Sequence, residues 1–81
     1  MTINDATRVL NAALDDAAEL DSAQDHTRAG VVLQAARIQA AEADPQPGED
    51  VATFGDLLRR VTEEEERQFG RRCKLERYLS L

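Results

Sequence analysis

The sequence has little of what very small proteins use to stay folded. It contains one cysteine, Cys73, so an intramolecular disulfide is impossible, and a disulfide-stapled secreted scaffold is excluded. It has no tryptophan, one tyrosine and two phenylalanines among 81 residues. A chain of this length buries a thin core. We therefore expect the protein to gain stability from self-association or from a protein partner.

The sequence also lacks targeting and membrane features. Its first residues carry no basic start and no apolar run of the kind that signal peptides have. No stretch approaches the roughly 18 consecutive apolar residues of a membrane-spanning helix. These absences predict a soluble protein without membrane contact, and the single cysteine favours the reducing cytoplasm.

Positive charge is scarce in the first part of the chain. The net charge is −6. Residues 1–50 hold ten acidic residues and three arginines, whereas residues 51–81 hold six acidic and seven basic residues. An acidic half repels phosphates, so the composition argues against a protein that wraps nucleic acid.

Apolar residues at helical spacing predict an all-α fold with a helical hairpin. The first helix is expected over about 3–20, with Thr2 as its N-cap, and the second over about 27–43. Polar residues 21–26 supply the turn between them. One continuous helix from 3 to 43 is the alternative. Gly30 in the second helix costs about 1 kcal/mol relative to alanine, so it can mark a close backbone contact.

A loop rich in proline and glycine, residues 44–52, separates this acidic hairpin from a C-terminal helix expected over about 54–79. Thr53 is the predicted cap of that helix. Either the chain bends near Thr62, where a second helix start is possible, or one straight helix carries polar side chains within its apolar face. Those polar residues are Glu65, Gln68 and Arg72. The prediction is one small helical bundle spanning residues 1–81.

No group of residues predicts chemistry. His26 is the only histidine and stands apart from Cys73, so neither a metal site nor an activated nucleophile is expected. The four glutamates 63–66 point around a helix rather than converging. Ion pairs four residues apart on a solvated face explain them more simply: Arg59 with Glu63, Arg60 with Glu64, and Glu63 with Arg67. We therefore predict no catalytic residues, no metal and no cofactor.

Two surfaces are candidates for binding a partner. The C-terminal apolar residues lie near a chain end with little sequence left to cover them, and helical spacing places three of them on one face beside Arg72; they are Leu75, Tyr78, Leu79 and Leu81. The acidic candidates near the end of the first helix are Asp15, Asp16, Glu19 and Asp21.

The leading functional hypothesis is a non-enzymatic helical module that binds another protein and associates with itself, as an adaptor, a co-chaperone or a phage-type inhibitor of a larger machine. The first alternative is an acidic protein whose carboxylates mimic nucleic-acid phosphates. The second is a small nucleic-acid-binding regulator that uses the basic segment around Arg71, Arg72 and Arg77. Nucleic acid is the less expected partner because of the net negative charge.

Overall fold

Three helices form a small bundle. A computed structural model describes the backbone of residues 1–79 and the side chains of residues 1–71. The helices are α1 (Ile3–Ser22), α2 (His26–Ala40) and α3 (Val51–Leu79), and each of them packs against the other two. The predicted all-α bundle, a hairpin followed by a longer helix, is thereby confirmed. None of the helices, as far as the structure describes them, is apolar over a length that could cross a bilayer.

Helix α1 begins at the predicted cap and buries an alanine-rich face. The side chain of Thr2 accepts a hydrogen bond of 3.1 Å from the backbone N–H of Asp5, which satisfies one of the free amides of the first turn. The buried residues recur every three or four positions: Ile3, Ala6, Leu10, Ala13 and Ala17. Because alanines occupy much of this face, α2 can approach closely.

A sharp turn separates α1 from α2. Gln24 has a φ of 61°, in the left-handed region, which interrupts the helical hydrogen-bond pattern. Asp25 follows as the cap of α2, because its carboxylate accepts a hydrogen bond of 3.2 Å from the backbone N–H of Arg28. The alternative of one helix from 3 to 43 is therefore wrong.

The loop after α2 comprises residues 41–50 and is attached to the start of α1. The backbone N–H of Asp44 donates to the carbonyl of Met1 at 3.0 Å. The carboxylate of Glu49 accepts hydrogen bonds from the backbone N–H groups of Asn4 and Gln46, at 3.0 and 2.9 Å. The prediction that α2 runs to residue 43 is wrong by three residues, since Asp44 leaves the helical path to bond with the N-terminal segment.

Helix α3 begins earlier than predicted and is continuous. Asp50 rather than Thr53 caps it: the Asp50 carboxylate accepts from the backbone N–H of Thr53 at 3.0 Å and also from its hydroxyl group. These bonds hold the pKa of Asp50 below its usual value, with the hydroxyl of Thr53 as the larger cause. The helix is not interrupted at Thr62, whose hydroxyl donates to the carbonyl of Leu58 at 2.9 Å within the same helix. The alternative of a second helix start at Thr62 is therefore wrong.

The core consists of small aliphatic side chains from all three helices. The bulkiest fully buried members are Ile3, Leu10, Leu33 and Val61, and alanines fill most of the remaining space. Helix α2 lies between its neighbours and contacts both more extensively than they contact each other. Its inner face is therefore fully used for folding.

Gly30 provides the close contact that its position in α2 predicted. The ring of Phe69 from α3 lies over it, and a Cβ atom at residue 30 would be 2.6 Å from the ring atom Cε1. Only glycine allows this separation without displacing the ring. Gly30 is thus a packing residue that brings α2 and α3 together near the α1–α2 turn.

Candidate functional site

A cluster of polar side chains lies between the helices at the end of the bundle formed by the α1–α2 turn. Asp21 comes from the last turn of α1, His26 from the first turn of α2, and Gln68 and Arg71 from α3. The Nδ1 atom of His26 lies 2.8 Å from Oε1 of Gln68 and 3.2 Å from Oδ1 of Asp21. Nε2 of Gln68 donates to Oε1 of Glu64 at 2.9 Å. We call these five residues the polar cluster.

Gln68 is the centre of the polar cluster. Its side chain is completely buried, and both ends of its amide have partners. A buried amide without partners would destabilise the fold, so the two hydrogen bonds explain how a glutamine is tolerated on the inner face of α3. The amide oxygen faces Nδ1 of His26 and the amide nitrogen faces the carboxylate of Glu64.

The charge of Asp21 is neutralised locally. Arg71 donates a hydrogen bond to its carboxylate. This contact, followed by a hydrogen bond from Gln68, holds the pKa of Asp21 below its usual value. Asp21 therefore stays ionised to a lower pH than a free aspartate does, and its carboxylate is directed toward Arg71 and His26 of its own chain.

A second polar contact joins α2 to the middle of α3. Arg37 makes two hydrogen bonds to the carboxylate of Glu65, with Nε 2.7 Å from Oε2 and a terminal nitrogen 3.2 Å from Oε1. Glu65 is buried, and the contact raises the pKa of Arg37. Two parallel hydrogen bonds fix both side chains in direction as well as in distance.

The structure corrects the prediction that all four glutamates 63–66 lie on a solvated face. Glu63 and Glu66 are exposed as predicted, but Glu65 is buried and Glu64 is half-buried. The alternative of polar residues within the apolar face of a straight α3 is confirmed for Glu65 and Gln68. The side chain of Arg72, the third predicted member, lies outside the described residues.

The ion pairs on the surface of α3 differ in spacing from the prediction. Arg59 pairs with Asp56 at 3.3 Å, and Arg67 pairs with Glu64 at 3.0 Å. Both pairs are three residues apart, whereas pairs four residues apart were expected. Exposed pairs of this kind contribute little to stability, typically about 0.2–1 kcal/mol.

The polar groups offer little for catalysis. Nδ1 of His26 is already hydrogen-bonded, and the cluster contains no serine, threonine or cysteine that could serve as a nucleophile. In the part of the chain whose side chains are described, no three histidine, cysteine, aspartate or glutamate residues converge in a way that could hold a metal ion. The arrangement provides hydrogen-bond partners for the donors and acceptors that are buried between the helices.

A groove of about 610 Å³ runs between α1 and α3. It takes in two of the predicted acidic residues, Asp15 and Asp21, and faces charges of both signs on α3. Its lining consists of Leu14, Asp15, Ala18, Asp21, Ser22, Arg60, Glu63, Glu64 and Arg67. Because both carboxylates and guanidinium groups line it, the groove has no single charge that would select an ionic ligand.

The structure separates the four predicted acidic residues. Asp15, Asp16 and Glu19 are exposed on α1, whereas Asp21 is partly buried and bonded to Arg71. Three of the four are therefore available on the surface. Arg71 is correspondingly used in folding, which removes one cation from the basic segment that the nucleic-acid hypothesis requires.

The predicted C-terminal contact residues lie mostly beyond what the structure describes. Helix α3 includes positions 72–79 in its backbone, but the side chains of Arg72, Leu75, Tyr78 and Leu79 are outside the described residues. Leu81 is outside them altogether. Their role in binding stays a prediction.

An apolar surface that sequence analysis did not select lies on the outer face of α2. Val31 and Ile38 are 50 % and 56 % exposed. Ala35, which is also exposed, lies between them at helical spacing. The described residues contain two other large apolar side chains with comparable exposure, Met1 and Val51, and both stand at the start of the chain or of a helix. We call Val31, Ala35 and Ile38 the α2 stripe.

Charged residues are scarce beside the α2 stripe. Between Arg28 and Glu42 the only ionic side chain is Arg37, and it is bonded to Glu65. The outer positions of α1 and α3, in contrast, are dominated by carboxylates and arginines. Helical spacing places Ala29, Leu33, Ala36 and Ala40 on one face of α2 and sets positions 31, 35 and 38 to one side of it, but it did not identify that side as an exposed binding surface.

No protein-family model, curated protein or solved structure matches the chain.

Proposed function

We propose that this chain is a small non-enzymatic helical module that works by binding protein through the outer face of α2. The observation that carries the proposal is the exposure of the α2 stripe. Helix α2 is apolar on two opposite faces: Leu33 and its buried neighbours pack into the core, whereas Val31 and Ile38 remain in contact with water.

Exposed aliphatic side chains in a row are typical of helix-binding surfaces. An isolated exposed valine needs no explanation, but residues at i, i+4 and i+7 form a continuous strip of the kind that a partner helix or groove covers. Burial of Val31 and Ile38 in a contact would contribute favourably, at about 25 cal/mol per Å² of apolar surface. The low charge of this face means that few ions need to lose water on binding.

The polar cluster is not a competing candidate for a binding site. Its hydrogen bonds join residues of this chain, so its role in folding is enough to explain it. An adaptor, a co-chaperone or an inhibitor of a larger protein are all settings in which such a module would act. The single cysteine is compatible with a reducing cytoplasm.

Site-specific photo-crosslinking tests the proposed function. A benzophenone amino acid placed at Ile38 should form covalent adducts with protein in cells that express the chain, whether with a second copy or with another protein. The matched control places the same amino acid at Ala12, an exposed position on α1, and should give few adducts. Equal adduct yields at the two positions, or none at Ile38, would contradict the proposal.

The exposure of Asp15, Asp16 and Glu19 favours a second candidate function, an acidic mimic of nucleic-acid phosphates. Neutralising these three together (D15N/D16N/E19Q) should abolish binding to a basic protein if the mimic is correct. Asp21 is left intact because its ion pair with Arg71 belongs to the fold. Unchanged binding by the triple variant would rule this candidate out. We rank a nucleic-acid-binding regulator lower, since Arg71 is occupied.

A further inference from the structure

We propose that the occupant of the α2 stripe is a second copy of this chain, bound with its α2 antiparallel across a twofold axis near Ala35. This inference rests on the proposed function and identifies the partner for that surface. It follows from the order of residues along the exposed side of residues 28–42, where apolar residues of α2 lie in the middle, Arg28 lies in the first turn of α2 and Glu42 lies in the turn just after its end.

The apolar part of this face is symmetric about Ala35 to within one residue. Val31 lies four residues before Ala35 and Ile38 lies three residues after it. An antiparallel pairing about Ala35 therefore places Val31 of one copy beside Ile38 of the other, twice. Ala35 meets its own equivalent at the crossing point, where a methyl group lets two helix axes approach toward the short end of the usual range of about 8–10 Å.

The charges select the direction of pairing. Arg28 and Glu42 lie seven residues on either side of Ala35, and both are exposed. An antiparallel pair brings Arg28 of each copy to Glu42 of the other. A parallel pair would instead place arginine against arginine and glutamate against glutamate. Charge complementarity of this kind fixes orientation and register more than it adds affinity.

Arg28 is free to make this contact. Its present partner, Asp25, lies 3.7 Å away, and the Arg28 side chain is 72 % exposed. Such an exposed pair contributes little, so exchanging it for Glu42 of a second copy costs little. The net charge of −6 per copy also favours α2 over α1 as the contact, because α1 carries several exposed carboxylates, whereas Arg37 is the only ionic residue between Arg28 and Glu42.

One helix pair is smaller than a standard interface of about 1,600 Å², so the dimer should be reversible and its population should depend on concentration. Sedimentation velocity over a concentration series tests for it in the purified chain. The variant V31E should weaken association by roughly 100-fold, since it places two unpaired charges in the contact. The matched control is V51E, because Val51 is also 50 % exposed but stands at the start of α3; its association should be unchanged.

Charge reversal tests the direction of pairing. R28E and E42R alone should each weaken the dimer by roughly tenfold, because each variant creates two like-charge contacts. The double variant R28E/E42R restores both ion pairs with reversed sign and should return to within about threefold of the original affinity. A double variant weaker than either single variant would overturn the antiparallel arrangement.

The outcomes separate this inference from the proposed function. A chain that stays monomeric at millimolar concentration, or a dimer that V31E and V51E weaken equally, overturns the self-pairing of α2. If photo-crosslinking at Ile38 still yields adducts with a different protein, the interaction function stands and only the identity of the partner is wrong. If neither a dimer nor adducts form, both proposals fail.

Discussion

Two regions of the molecule depart from the usual distribution of polar and apolar residues, and they do so in opposite directions. The polar cluster, with Gln68 at its centre, is polar and inside. The α2 stripe, with Val31 and Ile38, is apolar and outside. Inside, Gln68 has hydrogen-bond partners within the chain, so folding alone explains it. The aliphatic side chains of the α2 stripe remain about half exposed to water, so folding of the single chain does not explain why these positions are apolar.

The largest expected effect on stability comes from a substitution in the polar cluster. Replacing Gln68 with alanine removes its hydrogen bonds to His26 and Glu64 and opens a cavity. We expect the free energy of unfolding to fall by about 2–3 kcal/mol, measured by urea denaturation at one protein concentration. The control E66A, two residues away and exposed, should change it by less than about 0.5 kcal/mol. Equal effects would mean that the polar cluster does not hold the helices together.

The next effect concerns the contact between Gly30 and Phe69. Alanine at residue 30 raises helix propensity by about 1 kcal/mol, yet its Cβ would overlap the ring. We expect a net loss of about 1 kcal/mol in the free energy of unfolding, because displacing the ring costs more than the propensity gain. The control G55A, where no atom lies within 4 Å of the added Cβ, should stabilise the protein. A gain at both sites would show that the α2–α3 contact is loose.

A smaller effect is the pH dependence of stability. Because Arg71 lowers the pKa of Asp21 in the folded state, the unfolded chain takes up a proton first as the pH falls. The stabilisation is complete above the ordinary carboxyl range, near pH 4, and is lost progressively below it. In D21N this loss should be absent, so the difference in unfolding free energy between D21N and the original chain should shrink toward low pH. A constant difference would contradict the ion pair.

The smallest effect on stability should come from substitutions in the α2 stripe. The double variant V31Q/I38Q removes apolar surface that is already half exposed, so it should change the free energy of unfolding by less than about 0.5 kcal/mol under conditions where the protein is monomeric. Circular dichroism with urea gives this value. A large loss of stability in the monomer would show that the α2 stripe belongs to the core, and the comparison would fail.

The helices themselves could be predicted from local chemistry. The cap at Thr2 and the break before Asp25 follow from side chains that bond to nearby amides. The start of α3 was misplaced because Asp50 and Thr53, three residues apart, both have capping side chains, and only the folded loop decides that Asp50 is the cap. Local patterns predict that a helix exists better than they fix its first residue.

The two unusual regions differ in how far they could be predicted. The positions of Glu65 and Gln68 on the apolar face predicted a polar layer. The partner of Gln68, His26, is 42 residues away in the sequence, and no local pattern predicts such a pair. The α2 stripe was missed for another reason. Helical spacing indicates Ala29, Leu33 and Ala36 as the inner face of α2, and the structure buries all three. The same spacing sets Val31 and Ile38 to one side of that face, and only the folded bundle shows how far they are exposed.

The central claim is that binding belongs to the α2 stripe and folding to the polar cluster, and sedimentation velocity of V31Q/I38Q beside Q68L tests it most directly. Both variants are compared with the original chain at concentrations where circular dichroism shows each to be folded. We predict that V31Q/I38Q stays monomeric while Q68L, although less stable, still associates. Association that persists in V31Q/I38Q and disappears in Q68L would contradict the account.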